Sequence, residues 1–207
     1  MRERRYPDAV AGRFETPPIT FTDGEGREVK IREYDGTEAS YEALVSMYDS
    51  FDPSDRAQGI PPGGESRVRE WLDAILTDDC LNVVAWCEGS VAGHATLVPD
   101  DDAYELAIFV HQTYQRAGIG TRLIRGLLGC GQAAGIERVW LTVERWNRAA
   151  VSLYEKIGFE TSNTESFERE MALRPNESRA DTAAEHATDD DPTAEPADRA
   201  CRGIFTA

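Results

Sequence analysis

Apolar residues recur along this chain with two different periods, and the switches between them divide it into strands and helices. Val29-Lys30-Ile31-Arg32-Glu33-Tyr34 alternates apolar and polar, the pattern of a half-buried strand. Thr37 suits the cap of a helix running to about Tyr48, with Tyr41, Leu44, Val45 and Tyr48 on one face. A second helix over 66–76 gathers Val68, Leu72, Ile75 and Leu76 on one side, with Trp71 at its edge. Residues 51–65, rich in Pro, Gly and Asp, read as the loop between them. Strands follow at 82–87 and 92–98, joined by Glu88-Gly89-Ser90, a connection short enough for an antiparallel hairpin. The apolar run 106–110 is a further strand, and after it Leu123, Ile124, Leu127 and Leu128 fall at helical spacing. A strand at 138–143, a helix from Asn147 to Gly158 and a strand at 167–173 close the pattern. Gly158 stands where a left-handed helix cap is common. The order βαα-ββ-β-α-β-α-β predicts an α/β domain: a twisted mixed sheet with helices on both faces.

The ends read differently. Residues 1–27 mix charge with Pro17-Pro18 and Gly24-Glu25-Gly26, an irregular arm with one short strand at 19–22. The domain proper is expected over 28–174. From residue 175 to 207 acidic residues, including Asp189-Asp190-Asp191, outnumber large apolar ones. Such a segment buries too little surface to offset its ordering entropy, so an acidic, disordered tail is expected.

Composition narrows the class. No run of about 18 apolar residues occurs, so no membrane span is expected. Met1-Arg2-Glu3-Arg4-Arg5 precedes no apolar stretch, so neither is a secretory signal. Cys80, Cys87, Cys130 and Cys201 lack paired spacing, and His94, His111 and His186 have no ligating company, so no metal site is expected. His94 reads as a core histidine and His111 as an exposed loop residue. These features point to the cytoplasm. The net charge is −16, and only Lys30 and Lys156 are lysines. This balance resembles proteins of salt-accumulating halophiles, in which screening relaxes surface repulsion. It disfavours a nucleic-acid surface, which needs clustered cations.

The most informative segment is Gln115-Arg116-Ala117-Gly118-Ile119-Gly120, set between the 106–110 strand and the helix after it. A helix start leaves backbone N–H groups unpaired, and they point outward with the positive end of the helix dipole. That is a socket for an anion, most often a phosphate. Side chains at Gly118 and Gly120 would hold a ligand off the backbone. A P-loop would need Lys where Thr121 stands, and a dinucleotide fingerprint would need Gly where Leu123 stands. Gln-x-x-Gly-x-Gly between strand and helix instead resembles the acyl-CoA pyrophosphate loop of the GNAT acetyltransferase family. The second block is similar to that family's as well: Asn147, Ala150, Leu153-Tyr154 and Gly158-Phe159, one helix and one strand later. The resemblance covers roughly 28–173 and implies the acyl-CoA N-acyltransferase fold, acetyl-CoA as cosubstrate and direct attack by an amine in a ternary complex.

The resemblance also implies roles. Gln115, Arg116, Ala117, Gly118, Ile119, Gly120 and Thr121 would receive the pyrophosphate, with Arg116 and Arg122 the nearest cations. Val110 would donate its backbone N–H to the thioester carbonyl. Asn147, a good N-cap by type and position, would also contact the pantetheine arm. Tyr154 would be the general acid: with a reference pKa of about 10, a phenol can hand a proton to a thiolate of similar basicity. Glu105, at the head of the strand, would be the general base, acting directly or through water. Leu153 and Phe159 are core.

The acceptor would be shaped by residues 37–77, aromatic at Tyr41, Tyr48, Phe51 and Trp71 and acidic at Asp49, Asp52 and Asp55. A protein lysine, a small-molecule amine and a protein N-terminus are all open. A CoA-binding regulator without turnover and a scaffold acting through the tail are the rival classes. A monomer or a homodimer fits equally.

Overall fold

The computed structural model of the protein describes residues 4–56, 60–164 and 167–176. Its elements are β1 (Ile19–Thr22), β2 (Glu28–Glu33), α1 (Glu38–Asp49), α2 (Glu65–Ile75), β3 (Leu81–Cys87) and β4 (Ser90–Asp100). After them come β5 (Ala103–Val110), α3 (Ile119–Ala133), β6 (Val139–Glu144), α4 (Arg148–Ile157), β7 (Glu160–Thr164) and β8 (Glu168–Leu173). The strands form one sheet in the order β1-β2-β3-β4-β5-β6-β8-β7. All neighbours are antiparallel except β5 and β6, which run parallel. This is the mixed α/β sheet expected from the pattern, with helices on both faces.

Strand alternation decides which helix lies where. Val83 and Ala85 of β3, Leu106 of β5 and Leu141 and Val143 of β6 share a core with α3 and α4. Val84 of β3, Val91 and Val98 of β4 and Ala107 and Phe109 of β5 turn to the other face, against α1 and α2. Thr37 caps α1 by accepting from the Ser40 N–H, as its position suggested. Leu123, Ile124, Leu127 and Leu128 of α3 are fully buried, each worth about 1.5–3 kcal/mol over exposure.

The short strand expected at 19–22 is β1, and it joins the sheet by pairing with β2 from Ile19↔Ile31 to Thr22↔Glu28. Residues just before β1 also cross α3. A Cβ at Gly129 would meet the Glu15 carbonyl group, its carbon at 2.7 Å, and one at Gly126 would press on Ile19 at 3.3 Å. Glycine inside a helix is otherwise disfavoured by about 1 kcal/mol, so close backbone approach explains both positions. One strand, β7, was not anticipated. It is the edge strand, and β8 lies between it and β6.

Of the expected tail, Pro175 and Asn176 are held against α3: Gln132 Nε2 donates to the Pro175 carbonyl at 2.8 Å, and Asn176 Nδ2 to that of Ile136 at 3.0 Å. Residues 177–207, with His186 and Cys201, lie outside the described residues. Cys80, Cys87 and Cys130 are buried thiols. Among the described residues no helix is long and apolar enough to cross a membrane.

Candidate active site

The sheet opens where its two parallel strands meet. β5 and β6 pair only at Tyr104↔Val139 and Glu105↔Trp140. Beyond Glu105, β5 continues to Val110 and β6 to Glu144 without pairing to each other. The Tyr104 N–H donates toward β6, to the Arg138 carbonyl, whereas the His111 N–H donates toward β4, to that of Ala92. Backbone groups alternate sides along a strand, so beyond the Glu105–Trp140 pair the N–H groups of Ile108 and Val110 face the gap. The parallel edge of β5 therefore offers unused donors and acceptors to anything entering from the open end.

That end leads to the glycine turn. Gly118 caps α3 with φ +87 and Arg116 also has positive φ, +60. The first helical bond is Arg122 N–H to Gly118 O, so the N–H groups of Ile119, Gly120 and Thr121 have no intrahelical partner. The first turn of α3 has no acidic residue. Gly118 is needed for its left-handed backbone, and no atom crowds a Cβ there within 4 Å. Gly120 points inward, where a Cβ would lie 3.6 Å from Val110, 3.7 Å from Ile108 and 3.7 Å from Leu153. The Gln115 side chain turns away from the helix start, its amide donating to Asp55 Oδ2 at 2.8 Å and to the Val110 carbonyl at 3.1 Å. Arg116 is exposed, and the Arg122 guanidinium lies 5.4 Å over the Phe21 ring.

Tyr154 and Glu105 occupy opposite faces of the sheet. Tyr154 sits in the α3/α4 core with its ring 5.8 Å from that of Phe159. Burial pushes its phenol up to about 12, so it stays protonated across the physiological range. Asn147 caps α4, its side chain accepting from the Ala150 N–H at 3.1 Å. Glu105 shares strand parity with Ala107 and Phe109 and is 7% exposed. Burial first, then the Asp100 charge, raises its carboxyl to about 7, against a smaller opposing effect of Arg4. Five residues, roughly 17 Å of strand, separate it from Val110. Among the described residues no group of three or more His, Cys, Asp or Glu side chains is placed to hold a metal ion.

The model of the Acetyltransferase (GNAT) family matches residues 44–159, which spans both the glycine turn and the block ending at Phe159. The chain belongs to this family. The [Ribosomal protein bS18]-alanine N-acetyltransferase of Escherichia coli (strain K12) is 38% identical over 80 residues, 38% of this chain and 54% of that protein. The phosphinothricin N-acetyltransferase of Streptomyces viridochromogenes is 32% identical over 104 residues, 46% of this chain and 57% of that protein. The chain thus spans about half the length of these curated relatives. Among solved structures, the GNAT domain of S. lividans PAT superposes with a TM-score of 0.63 at 16% identity, covering 77% of this chain and 99% of that one.

In this GNAT protein the face opposite Tyr154 is aromatic. Tyr48, Trp71 and Phe109 meet edge to face with ring centroids 5.0, 5.6 and 5.5 Å apart. Beneath them runs a buried polar chain. Asn82 Nδ2 donates to the Ile75 carbonyl at 2.9 Å, which leaves Oδ1 to accept from His94 Nε2 at 3.0 Å. His94 Nδ1 then accepts from the Tyr48 hydroxyl at 2.7 Å. Burial lowers His94 to about 3, so the ring is neutral, the core histidine its mid-strand position suggested. His111 is half-buried rather than exposed, and its ring caps a 3-10 turn (Gln112–Tyr114) by accepting from the Thr113 N–H. Asp52 caps the short turn Pro53–Asp55.

Sequence reasoning missed the supports of the glycine turn. Gly24 N–H donates to the Ala117 carbonyl at 2.9 Å, and buried Asp23 accepts from the Glu25 and Arg27 N–H groups, each at 2.9 Å. Gln112 clasps the α1–α2 loop, donating to the Ser50 carbonyl and accepting from the Asp52 N–H. The Gly24-x-Gly26 pair was the one local hint of a tight turn. Nothing local indicated what the turn packs on.

Proposed function

We propose that the protein transfers the acetyl group of acetyl-CoA to a primary amine by direct attack in a ternary complex. The unpaired β5 edge, opening onto the N-terminus of α3, carries this reading. The N–H groups of Ile119, Gly120 and Thr121, with Gly118 turning the chain, receive the pyrophosphate, aided by Arg116. Gln115 contributes by bracing the turn and the Val110 carbonyl. Asn147 holds the start of α4 beside the pantetheine arm. The thioester lies in the gap, its carbonyl accepting from Val110 N–H as negative charge develops. Glu105 on one face draws the proton from the amine; its distance from Val110 requires bridging water. Tyr154, on the other face, protonates the departing thiolate.

The acceptor side is the α1/α2 face. A protein amine, lysine or N-terminal, is the first candidate, supported by the relatives named for acetylating a ribosomal-protein alanine. A small-molecule amine, as the phosphinothricin enzyme's name describes for that protein, is the second. The charge of −16 with two lysines supports a halophilic, cytoplasmic setting. The test is a thiol-release screen of peptides, polyamines and free amines with acetyl-CoA, run in low and high potassium chloride. Acetyl-CoA binding without thiol release from any amine would replace the enzyme by a CoA-binding regulator.

A further inference from the structure

At the root of the β5–β6 gap the chain's own N-terminal arm covers the sheet face that α1 and α2 leave bare. The Arg4 guanidinium lies over Trp140, its central carbon 3.6 Å from the ring centroid. It reaches Asp100 Oδ2 at 3.3 Å and Glu170 Oε2 at 3.2 Å. Trp140 is the β6 partner of Glu105 in the last pair before the strands separate. Three carboxylates, Asp100, Glu105 and Glu170, thus surround one guanidinium.

The fit is incomplete in three ways. Trp140 is 5% exposed, yet its buried indole N–H has no hydrogen-bond partner among the described residues. Arg4 Nε, near Glu170, lacks the alignment of a hydrogen bond. Glu105 is equally buried, and no hydrogen bond reaches its carboxylate among the described residues. Buried polar groups are ordinarily paired, so the site has more hydrogen-bonding capacity than its occupant uses. The occupant's ion pairs are partly solvated. Both ion pairs are about a quarter open to solvent, with side-chain exposures of 23% and 27% for Arg4 and Asp100 and 22% for Glu170, and such pairs contribute little.

We propose that Arg4 is a resident stand-in, and that Trp140, Asp100, Glu170 and Glu105 form a seat for the guanidinium of an arginine carried by a peptide acceptor. A flat indole and two carboxylates match the planar fork of a guanidinium better than a compact ammonium. The acceptor's backbone supplies what the arm does not, a carbonyl for the Trp140 N–H. One guanidinium replaces another, so the charge around Glu105 is preserved while the arm gives way above it. The proposal rests on the acetyl-transfer reading for its choice of ligand, but the seat itself is testable without turnover.

The first experiment is thermal melting of the full chain as wild type, Arg4→Gln and Arg4→Gln/Trp140→Leu, with ethylguanidinium as probe and propylammonium as control. Ethylguanidinium should raise the melting temperature of Arg4→Gln, leave wild type nearly unchanged and fail on the double variant. No response in Arg4→Gln, or equal responses in the single and double variants, overturns the seat. The second compares acceptor peptides bearing arginine with isosteres bearing neutral citrulline. If the arm occupies the seat roughly nine-tenths of the time, Arg4→Gln should lower KM for the arginine peptide about tenfold relative to KM for the citrulline peptide, a ratio taken within each variant so that the loss of the Arg4 charge beside Glu105 is carried by both readings. Equal changes for both peptides would leave a cation seat that takes no part in acceptor choice and so refute its assignment to the acceptor. Absence of turnover with a positive melting result would refute the acetyl-transfer reading and not the seat.

Discussion

Replacing Glu105 by glutamine keeps the shape of the side chain and removes its titration. The carboxyl is raised from 4.5 to about 7 by burial, so between those values the folded protein holds a proton that the unfolded chain releases. Stability therefore falls as pH rises across this window, is fully present below it and levels off above it. Each pKa unit corresponds to about 1.4 kcal/mol, so ionised Glu105 costs the folded state about 3 kcal/mol above pH 8. Glu105→Gln should match the wild type near pH 4 and exceed it by up to about 3 kcal/mol at pH 8.5, an upper bound because water can enter. For a chain of this length that is about 6–12 °C in melting temperature. Urea unfolding at the two pH values, at fixed salt, measures the difference. The same substitution should abolish the rise of kcat/KM through pH 7, if this carboxylate is the base. Stability differences that are the same at both pH values would refute the buried-carboxyl argument; a retained alkaline rise would refute the base.

The other substitutions probe the remaining parts of the site. Gly120→Glu should eliminate acetyl-CoA binding in calorimetry, because its side chain must enter the space between Val110, Ile108 and Leu153. Gly120→Ala, whose Cβ meets only ordinary contacts, should bind, and loss of binding there would show that room at this position is tighter than described. Tyr154→Phe should lower kcat much more than acetyl-CoA affinity, whereas equal losses would point to a packing role. Asn82→Ala leaves the Ile75 carbonyl and His94 Nε2 unpaired in the core. At about 1–3 kcal/mol for each orphaned group, it should destabilise by about 2–6 kcal/mol in urea unfolding, and a loss below 1 kcal/mol would mean the chain is dispensable.

Helices α1 to α4 were legible because each buries one stripe, and a stripe recurs at a period that sequence displays. The strands β2 to β6 and β8 were legible for the corresponding reason, with bounds shifted by up to three residues. β7, Glu-Thr-Ser-Asn-Thr, was not, because an edge strand is ordered by the backbone of its neighbour and has little apolar alternation of its own. The glycines of the turn were visible, but their separate duties were not. Gly118 answers to a positive φ, and Gly120 to the space below it.

By itself the sequence determined the order of the elements other than β7, the glycine turn at the head of α3 and the family, since these depend on periodicity and on residue types at short spacing. Only the tertiary structure decided the rest. It divided Glu105 and Tyr154 between two faces, ended the β5–β6 pairing at Glu105 and Trp140, and brought Arg4 across the fold onto Trp140. Those facts depend on contacts between residues far apart in the chain, and local patterning carries no record of which distant surface a strand edge, a buried carboxyl or an arm will meet.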